Sequence, residues 1–434
     1  MHKGSSFQAI LDNLYGLKRF GIRLGLENIS SLLSELGEPQ KYINAIHVGG
    51  TNGKGSTAAF IYNILNAKGY KVGLFTSPHL FSILERIQIN NTPIPKEEFI
   101  GLFKKVKDVI PQDLEVTFFE FLTAMALRYF FDQKVDWAVI EVGMGGRFDA
   151  TNLIHPKVSI ITNIEYEHTD YLGKDLRKIA TEKGGIIKKE GILVTAIREP
   201  EILSIMKKIC HSLNAQMFAI DRDFEVRTDS FEITRTRFRF KDEDNLFESI
   251  EIPLAGEYQV DNAACAIKTS VILNDLGWEI GEEDIKRGLR DVRWRGRFDV
   301  SKRNPIVICD GAHNPSGIKS FMESFVQLFT YDRLFVIFGV MSDKDFSKMG
   351  ECIIPHADSL ILVKPNVERA LDPEIMLSEF KRYKKEVLVI KNVGAAIDHT
   401  LSRASEKDII CIIGSLYLVS EALQILESVS VNSG

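Results

Sequence analysis

The sequence predicts an α/β protein with two domains, a larger one on a mostly parallel sheet and a smaller α/β domain after it. Three observations predict this. Short apolar runs alternate with amphipathic stretches through most of the 434 residues, the pattern of strands taking turns with covering helices. The length exceeds what one compact core usually holds. A second α/β series starts near residue 305, set apart from the first by DVRWRGRFDVSKRN.

In chain order, INAIHV (43–48) reads as a buried strand and KGSTAAFIYNILNAK (54–68) as a helix stopped by Gly69. KVGLFT (71–76) is the next strand. FEFLTAMALRYFF is a helix, followed by strands at WAVIEV (137–142), KVSIIT (157–162) and GILVTAI (191–197). The stretch 216–253 alternates apolar and polar residues over short segments, which predicts an antiparallel insert or meander. It leads into the helix QVDNAACAIKTSVILNDLG. The second series has strands at IVICD, RLFVIFGV, SLILVK, EVLVIK and DIICIIGS, so the domain boundary is expected near 297–303. No repeat of 20–50 residues and no low-complexity segment interrupts this order.

Composition narrows the function classes. Apolar residues are 45% and charged residues 26%, ordinary for a globular protein. The formal net charge is −5 with no long run of either sign, so no nucleic-acid partner is expected. No apolar run approaches the ~18 residues of a membrane span. The N-terminal stretch lacks the apolar core of a secretory signal. The five cysteines form no CxxC pair, and four sit among apolar neighbours. They read as buried thiols in a reducing cytoplasm.

The segment HVGGTNGKGST (47–57) follows a strand and opens a helix. Such a segment suits a phosphate: glycines let the backbone approach, amide N–H groups point at the anion, and Lys54 adds a cation. Ser56 or Thr57 can place a hydroxyl near Mg2+. The spacing departs from the common GxxxxGK[ST]. Val48 stands six before Lys54, and Gly55 separates Lys54 from Ser56. GMGGR (143–147) is no dinucleotide fingerprint, because Phe148 stands where the last glycine of GxGxxG belongs.

GTNGKGS (50–56) is the form found in Mur-type ligases. The motifs around it resemble, in order, the folylpolyglutamate synthase/dihydrofolate synthase family: RLGLENIS (23–30), TSPHL (76–80), ERIQIN (85–90), TFFE (117–120), EVGMGGRFDATN (141–152), EHTDYLG (167–173), TEKGGI (181–186), GEYQVDNAACAI (256–267), WRGRFDV (294–300), ICDGAHNP (308–315) and GSLYLV (414–419). The resemblance implies a P-loop-containing parallel-sheet ATPase domain over 1–297, with a small antiparallel insert near 216–253. A smaller Rossmann-like glutamate-ligase domain over 298–434 follows it.

The implied activity is an ATP-dependent ligation of L-glutamate to a folate, to dihydropteroate, or to both, through an acyl phosphate. Lys54, His168 and Lys183 are the implied catalytic residues. Gly50, Thr51, Asn52, Gly53, Lys54, Gly55, Ser56, Asn262, Arg297, Asp310 and His313 would bind ATP. Ser77, Glu141 and His168 would hold Mg2+. Glu141 ends an apolar strand, where an acid beside a phosphate loop suits a metal; taken alone, a helix cap or a solvated edge fits it equally. Lysine is a cation and a poor metal ligand, so the resemblance implies that Lys183 reacts with CO2 and becomes an anionic carbamate. A monovalent cation is also implied. Gly25, Leu26, Arg86, Thr117, Phe118, Phe119, Glu120, Phe148, Asp149 and Ala150 would line the folate pocket, with Ser415 near the incoming amino acid. The two phenylalanines read equally well as core. The family's usual aspartate, alanine and histidine are replaced here by Glu167, Gly184 and Tyr258. A monomer acting on small molecules is expected.

Two other classes fit parts of the sequence. A ligase acting on a peptidoglycan precursor shares the loop, but GTNGKGS, DGAHNP and the lack of an extra N-terminal UDP-binding domain argue against it. A non-catalytic nucleotide switch would be supported by an NKxD motif, which is absent, and would need no metal cluster.

Overall fold

The computed structural model describes residues 7–17, 25–167, 173 and 175–432; His168 and Asp170 lie outside them. The first sheet has eight strands: β1 (Ala45–Gly49), β2 (Val72–Phe75), β3 (Ile87–Ile89), β4 (Thr92–Pro93), β5 (Trp137–Glu141), β6 (Pro156–Ile161), β7 (Ile192–Thr195) and β8 (Gln216–Ala219). Their order is β4-β3-β2-β5-β1-β6-β7-β8. Strands β2, β5, β1, β6, β7 and β8 run parallel, while β3 and β4 return antiparallel at one edge. All residues of β1 and β5 are buried, as expected of central parallel strands covered on both faces. The chain leaves β1 toward β2 on one side, and β6 lies on the other. A crevice at the carboxyl end of such a strand is where ligands bind in open α/β sheets.

Strands β9 (Phe224–Glu232), β10 (Arg235–Asp242) and β11 (Leu246–Ile252) form a three-stranded sheet in sequence order. Their connections of two and three residues are too short for parallel neighbours, so the segment is the expected meander. Its core is an aromatic ladder, Phe224–Phe240–Phe247, with successive rings 5.9 and 5.8 Å apart.

The second parallel sheet has six strands: β12 (Asp299–Arg303), β13 (Ile306–Asp310), β14 (Leu334–Phe338), β15 (Ser359–Leu362), β16 (Glu386–Val389) and β17 (Ile409–Ile413). The order is β12-β13-β17-β14-β15-β16, antiparallel only between β12 and β13. Its core gathers Phe321, Phe325, Val336, Phe338 and Cys411. All five cysteines are free thiols, four of them buried.

The chain divides into two compact units. One comprises residues 1–227, 239–250 and 261–292, the other 228–238, 251–260 and 293–434. The sequence places the change near 297–303 and keeps the meander with the first domain. In the structure the strands of the meander are shared between the units, and the last division falls between Val292 and Arg293. Among the described residues no helix is long and apolar enough to cross a membrane.

The helix Lys54–Lys68 carries nine buried residues and ends at Gly69, whose φ of 100° closes the last turn. The helix Glu282–Arg290 crosses it backbone to backbone. A Cβ on Gly288 would lie 2.4 Å from Ile64 Cα. Gly288→Ala should therefore push the helices apart and cost about 1–3 kcal/mol. Thermal unfolding of the full chain measures this, and an unchanged melting temperature contradicts the close contact.

Candidate functional site

The loop after β1 is held from below by the end of β6. Thr51 N–H donates to the Asn163 carbonyl (3.0 Å) and Asn52 N–H to Asn163 Oδ1 (2.8 Å). The Thr162 hydroxyl donates to the Asn52 carbonyl (2.6 Å) and lies 3.3 Å from the Gly49 carbonyl. Thr51 Oγ1 accepts from Glu165 N–H (3.0 Å). Gly53 has φ 82°, a conformation glycine adopts without strain. A side chain there would also collide with Asn262, since a Cβ would lie 2.2 Å from its Oδ1. Asn262, Gly50, Thr51, Asn52, Gly53, Lys54, Gly55 and Ser56 are thus brought to one place, at the mouth of the parallel strands and the start of a helix. Thr162 and Asn163 were missed by sequence reasoning. The available signal was the polar pair Thr162–Asn163, which closes the apolar run KVSIIT.

Two lysines converge on this loop. Lys54 Nζ donates to the carbonyls of Gly50 (3.2 Å) and Thr51 (2.8 Å). Lys183 Nζ donates to the same Gly50 carbonyl at 2.7 Å and is 2% exposed. Burial, and next the neighbouring Lys54 charge, push the Lys183 ammonium down to about 7, against attraction from Glu167, Asp149 and Glu182. Much of the amine is therefore neutral and nucleophilic near neutral pH. The backbone at Lys183 is placed by the GMGGR loop. Arg147 N–H donates to the Glu182 carbonyl (2.9 Å), and a Cβ on Gly146 would lie 2.9 Å from the Lys183 carbonyl. Gly146 serves this close packing.

Glu141 ends β5 beside β1 and is 5% exposed. Its Oε2 accepts from Ser77 N–H at 2.8 Å, which brings the Ser77 segment to the carboxylate. Carboxylate and hydroxyl oxygens are the hard donors that Mg2+ takes, so these residues fit such an ion. Among the described residues no three His, Cys, Asp or Glu side chains gather; the expected set draws on a hydroxyl, a modified lysine and His168 as well.

Behind the loop lies a buried polar chain. His47, on β1, is fully buried, and its Nε2 is 2.8 Å from Thr151 Oγ1. Burial, then Lys188, push the imidazole down to about 3, so it is neutral. The Thr151 hydroxyl donates to Asp149 Oδ1, and Asp149 also accepts from the N–H groups of Met144 (2.8 Å) and Thr151 (3.0 Å). Burial raises the Asp149 carboxyl against these donors. Asp149 and Ala150 are buried, while neighbouring Phe148 is 41% exposed.

Arg86 is 7% exposed, donates through Nε to His79 Nδ1 (2.9 Å) and lies 5.3 Å from the Phe118 ring centroid. Phe118 stacks on Tyr15 (5.6 Å) and Phe119 leans on Phe75 (5.8 Å) and Gly143. Both phenylalanines are partly buried against the core, so their packing role is real. Thr117 and Glu120 form a capping box for the helix Phe118–Asp132. Gly25 and Leu26 precede the helix Glu27–Glu35, with Leu26 at its N-cap.

In the second unit, Asp310 ends β13 and is buried. Its Oδ2 accepts from Phe298 N–H (2.7 Å) and its Oδ1 from Ala312 N–H (2.8 Å). Burial raises this carboxyl, and Arg297 first among the opposing groups lowers it. Arg297 sits between Gly296 and Phe298, both at positive φ. Its Nη1 lies where a Cβ on Gly311 would come within 2.1 Å. His313 Nδ1 is 2.9 Å from the Gly311 carbonyl. Tyr258 is pushed well up, first by burial and next by Asp310. Ser415 Oγ accepts from Leu418 N–H (3.1 Å), capping the helix Leu416–Asn432. Arg295, an exposed side chain, pairs with Asp299 (2.5 Å) and Glu427 (2.9 Å).

Residues 48–270 match the Mur ligase middle domain, and residues 296–416 match the Mur ligase, glutamate ligase domain. The chain is 33% identical to the dihydrofolate synthase/folylpolyglutamate synthase of Bacillus subtilis, covering 96% of this chain and 98% of that protein. It is 36% identical to a probable bifunctional folylpolyglutamate synthase/dihydropteroate synthase of Haloferax volcanii, over 94% of this chain, and spans about half of that relative (49%). Mycobacterium tuberculosis folylpolyglutamate synthase complexed with ADP superposes with a TM-score of 0.91 at 30% identity, covering 97% of this chain and 98% of that one.

Thr162→Val keeps the side-chain shape and removes the hydroxyl that holds the Asn52 carbonyl. It should weaken ADP binding roughly tenfold, the effect of losing about one buried hydrogen bond. Calorimetric titration of ADP reads this, and wild-type affinity contradicts the pinning.

Proposed function

The chain belongs to the folylpolyglutamate synthase/dihydrofolate synthase family of Mur ligases, and from that membership we propose that it joins L-glutamate to a folate, to dihydropteroate, or to both, using ATP. The substrate carboxylate attacks the γ-phosphorus, and the bond to the ADP oxygen breaks. The acyl phosphate then meets the amine of glutamate. The nitrogen attacks the acyl carbon, inorganic phosphate leaves, and the amine loses a proton as the amide forms. Phosphorylation turns a poor leaving oxygen into a good one; the chain's contribution is position and charge neutralisation.

Residues 50–56, through Lys54 and the amides that follow the Asn163-bonded Thr51 and Asn52, are assigned to the ATP phosphates, with Asn262, Arg297, Asp310 and His313 as further nucleotide contacts. Ser77, Glu141, His168 and a carbamate on Lys183 would hold Mg2+, which would neutralise phosphate charge when bound; a monovalent cation accompanies it. Arg86, Phe118, Phe119 and the 148–150 segment are assigned to the folate side, Gly25, Leu26, Thr117 and Glu120 to its margin, and Ser415 to the amino-acid side. We place the enzyme in the cytoplasm as a monomer.

The observation that carries this reading is the Lys183 amine on the Gly50 carbonyl. A nucleotide loop needs one lysine. A second one, buried and in part neutral near neutral pH, has the chemistry to capture CO2 and become an oxygen ligand.

The reaction is tested by ADP release with ATP, Mg2+ and L-glutamate, adding dihydropteroate or tetrahydrofolate, with mass detection. A glutamate-sized gain on both identifies a bifunctional enzyme, and a gain on one names the acceptor. No release with either contradicts the assignment and leaves another Mur-type acceptor. Lys183→Ala should lose activity and regain part of it with added short carboxylates; wild-type turnover in that variant refutes the carbamate.

A further inference from the structure

Asn262 reaches Gly53 from the helix Glu257–Leu273, so its aim depends on how that helix is rotated and placed. Successive helical residues point about 100° apart. A clamp on one residue of the turn therefore sets the direction of the next. Asp261 precedes Asn262, and Arg198 grips it with both arms of the guanidinium. Nη1 donates to Oδ2 at 2.5 Å and Nη2 to Oδ1 at 2.9 Å. Arg198 Nε donates to Asp221 Oδ2 at 2.7 Å, so the plane of the fork is fixed from a second side.

The base of this clamp belongs to the sheet that holds the phosphate loop. Arg198 stands three residues after β7 ends at Thr195. The Thr195 hydroxyl donates to the Ile161 carbonyl at 2.6 Å and accepts from Ile197 N–H at 3.2 Å, and Ile197 is fully buried. Ile161 is the residue before Thr162 and Asn163, which pin the loop. One sheet end thus carries both the loop and the arginine that orients the helix facing it. A second grip lies seven residues along the helix from Asp261, on the same face: Lys268 Nζ bonds Asp242 Oδ2 at 2.7 Å.

We propose that Arg198 is a positioning residue for the nucleotide, acting through Asp261 to hold Asn262 against the phosphate loop. This rests on the loop being the ATP site. The bidentate geometry is what matters, because a lysine at 198 keeps the charge and cannot span both carboxylate oxygens.

The test is ATP affinity of the full chain by calorimetric titration, together with KM for ATP and for glutamate, in Arg198→Ala, Arg198→Lys, Asn262→Ala and Arg198→Ala with Asn262→Ala. Arg198→Ala should weaken ATP binding roughly threefold to fivefold, the scale a partly exposed ion pair transmits. KM for glutamate should stay unchanged. Arg198→Lys should lose most of the same affinity. In the Asn262→Ala background, Arg198→Ala should cost nothing further. Wild-type affinity in Arg198→Ala or Arg198→Lys, or an equal loss in both backgrounds, overturns the proposal. A parallel rise in both KM values also overturns it, since a general structural defect acts on both. A wild type that binds no ATP overturns the site reading and this inference together.

Discussion

The site depends first on a backbone held open. The carbonyls of Gly50, Thr51 and Asn52 are each taken by a neighbouring side chain, and these bonds set the shape of the loop. Thr162 takes Asn52, Lys54 takes Gly50 and Thr51, and Lys183 takes Gly50 again. Asn163 accepts from the amides of Thr51 and Asn52. The bonds come from the residues that follow β6, from Lys54, and from Lys183 at the end of the helix Leu176–Lys183, so sheet order and loop shape are one constraint. The neutral His47 and the Thr151–Asp149 pair extend that order beneath the loop.

The same logic repeats in the second unit on a smaller scale. Asp310 spends its two oxygens on the N–H groups of Phe298 and Ala312. Phe298, a bulky residue at φ 48°, is anchored by its ring 5.1 Å from Phe321. A non-glycine residue persists at positive φ only where its surroundings over-determine it. Here carboxylate and aromatic packing together define the backbone that carries Arg297. An acid read from sequence as a ligand contact is thus also the scaffold of the arginine beside it.

Much of the fold was legible because the apolar runs are long and the turns between them distinct. INAIHV, WAVIEV and IVICD are all strands, and Gly69 ends its helix where expected. Strand order was not legible, because β5 inserts between β1 and β2 through pairing that no local pattern records. The division of the meander between two units was hidden for the same reason. At the site, the loop, Glu141, Lys183 and Asn262 were readable because each sits in a dense motif. Thr162, Asn163, His47 and Arg198 were not, since an isolated polar residue after a strand or inside one has no spacing to mark it. Thr117, Glu120 and Ser415 show the reverse case, in which motif residues also serve as helix caps.

The central proposal is that burial beside Lys54 leaves part of the Lys183 side chain as neutral amine, which would capture CO2 and become an anionic ligand at the phosphate loop. The most direct measurement is carbon-13 NMR of the full chain equilibrated with labelled bicarbonate, compared with Lys183→Arg. The account predicts a protein-bound carbamate signal in the wild type that is lost in the variant. An active wild type with no such signal, or the same signal in the variant, would contradict it.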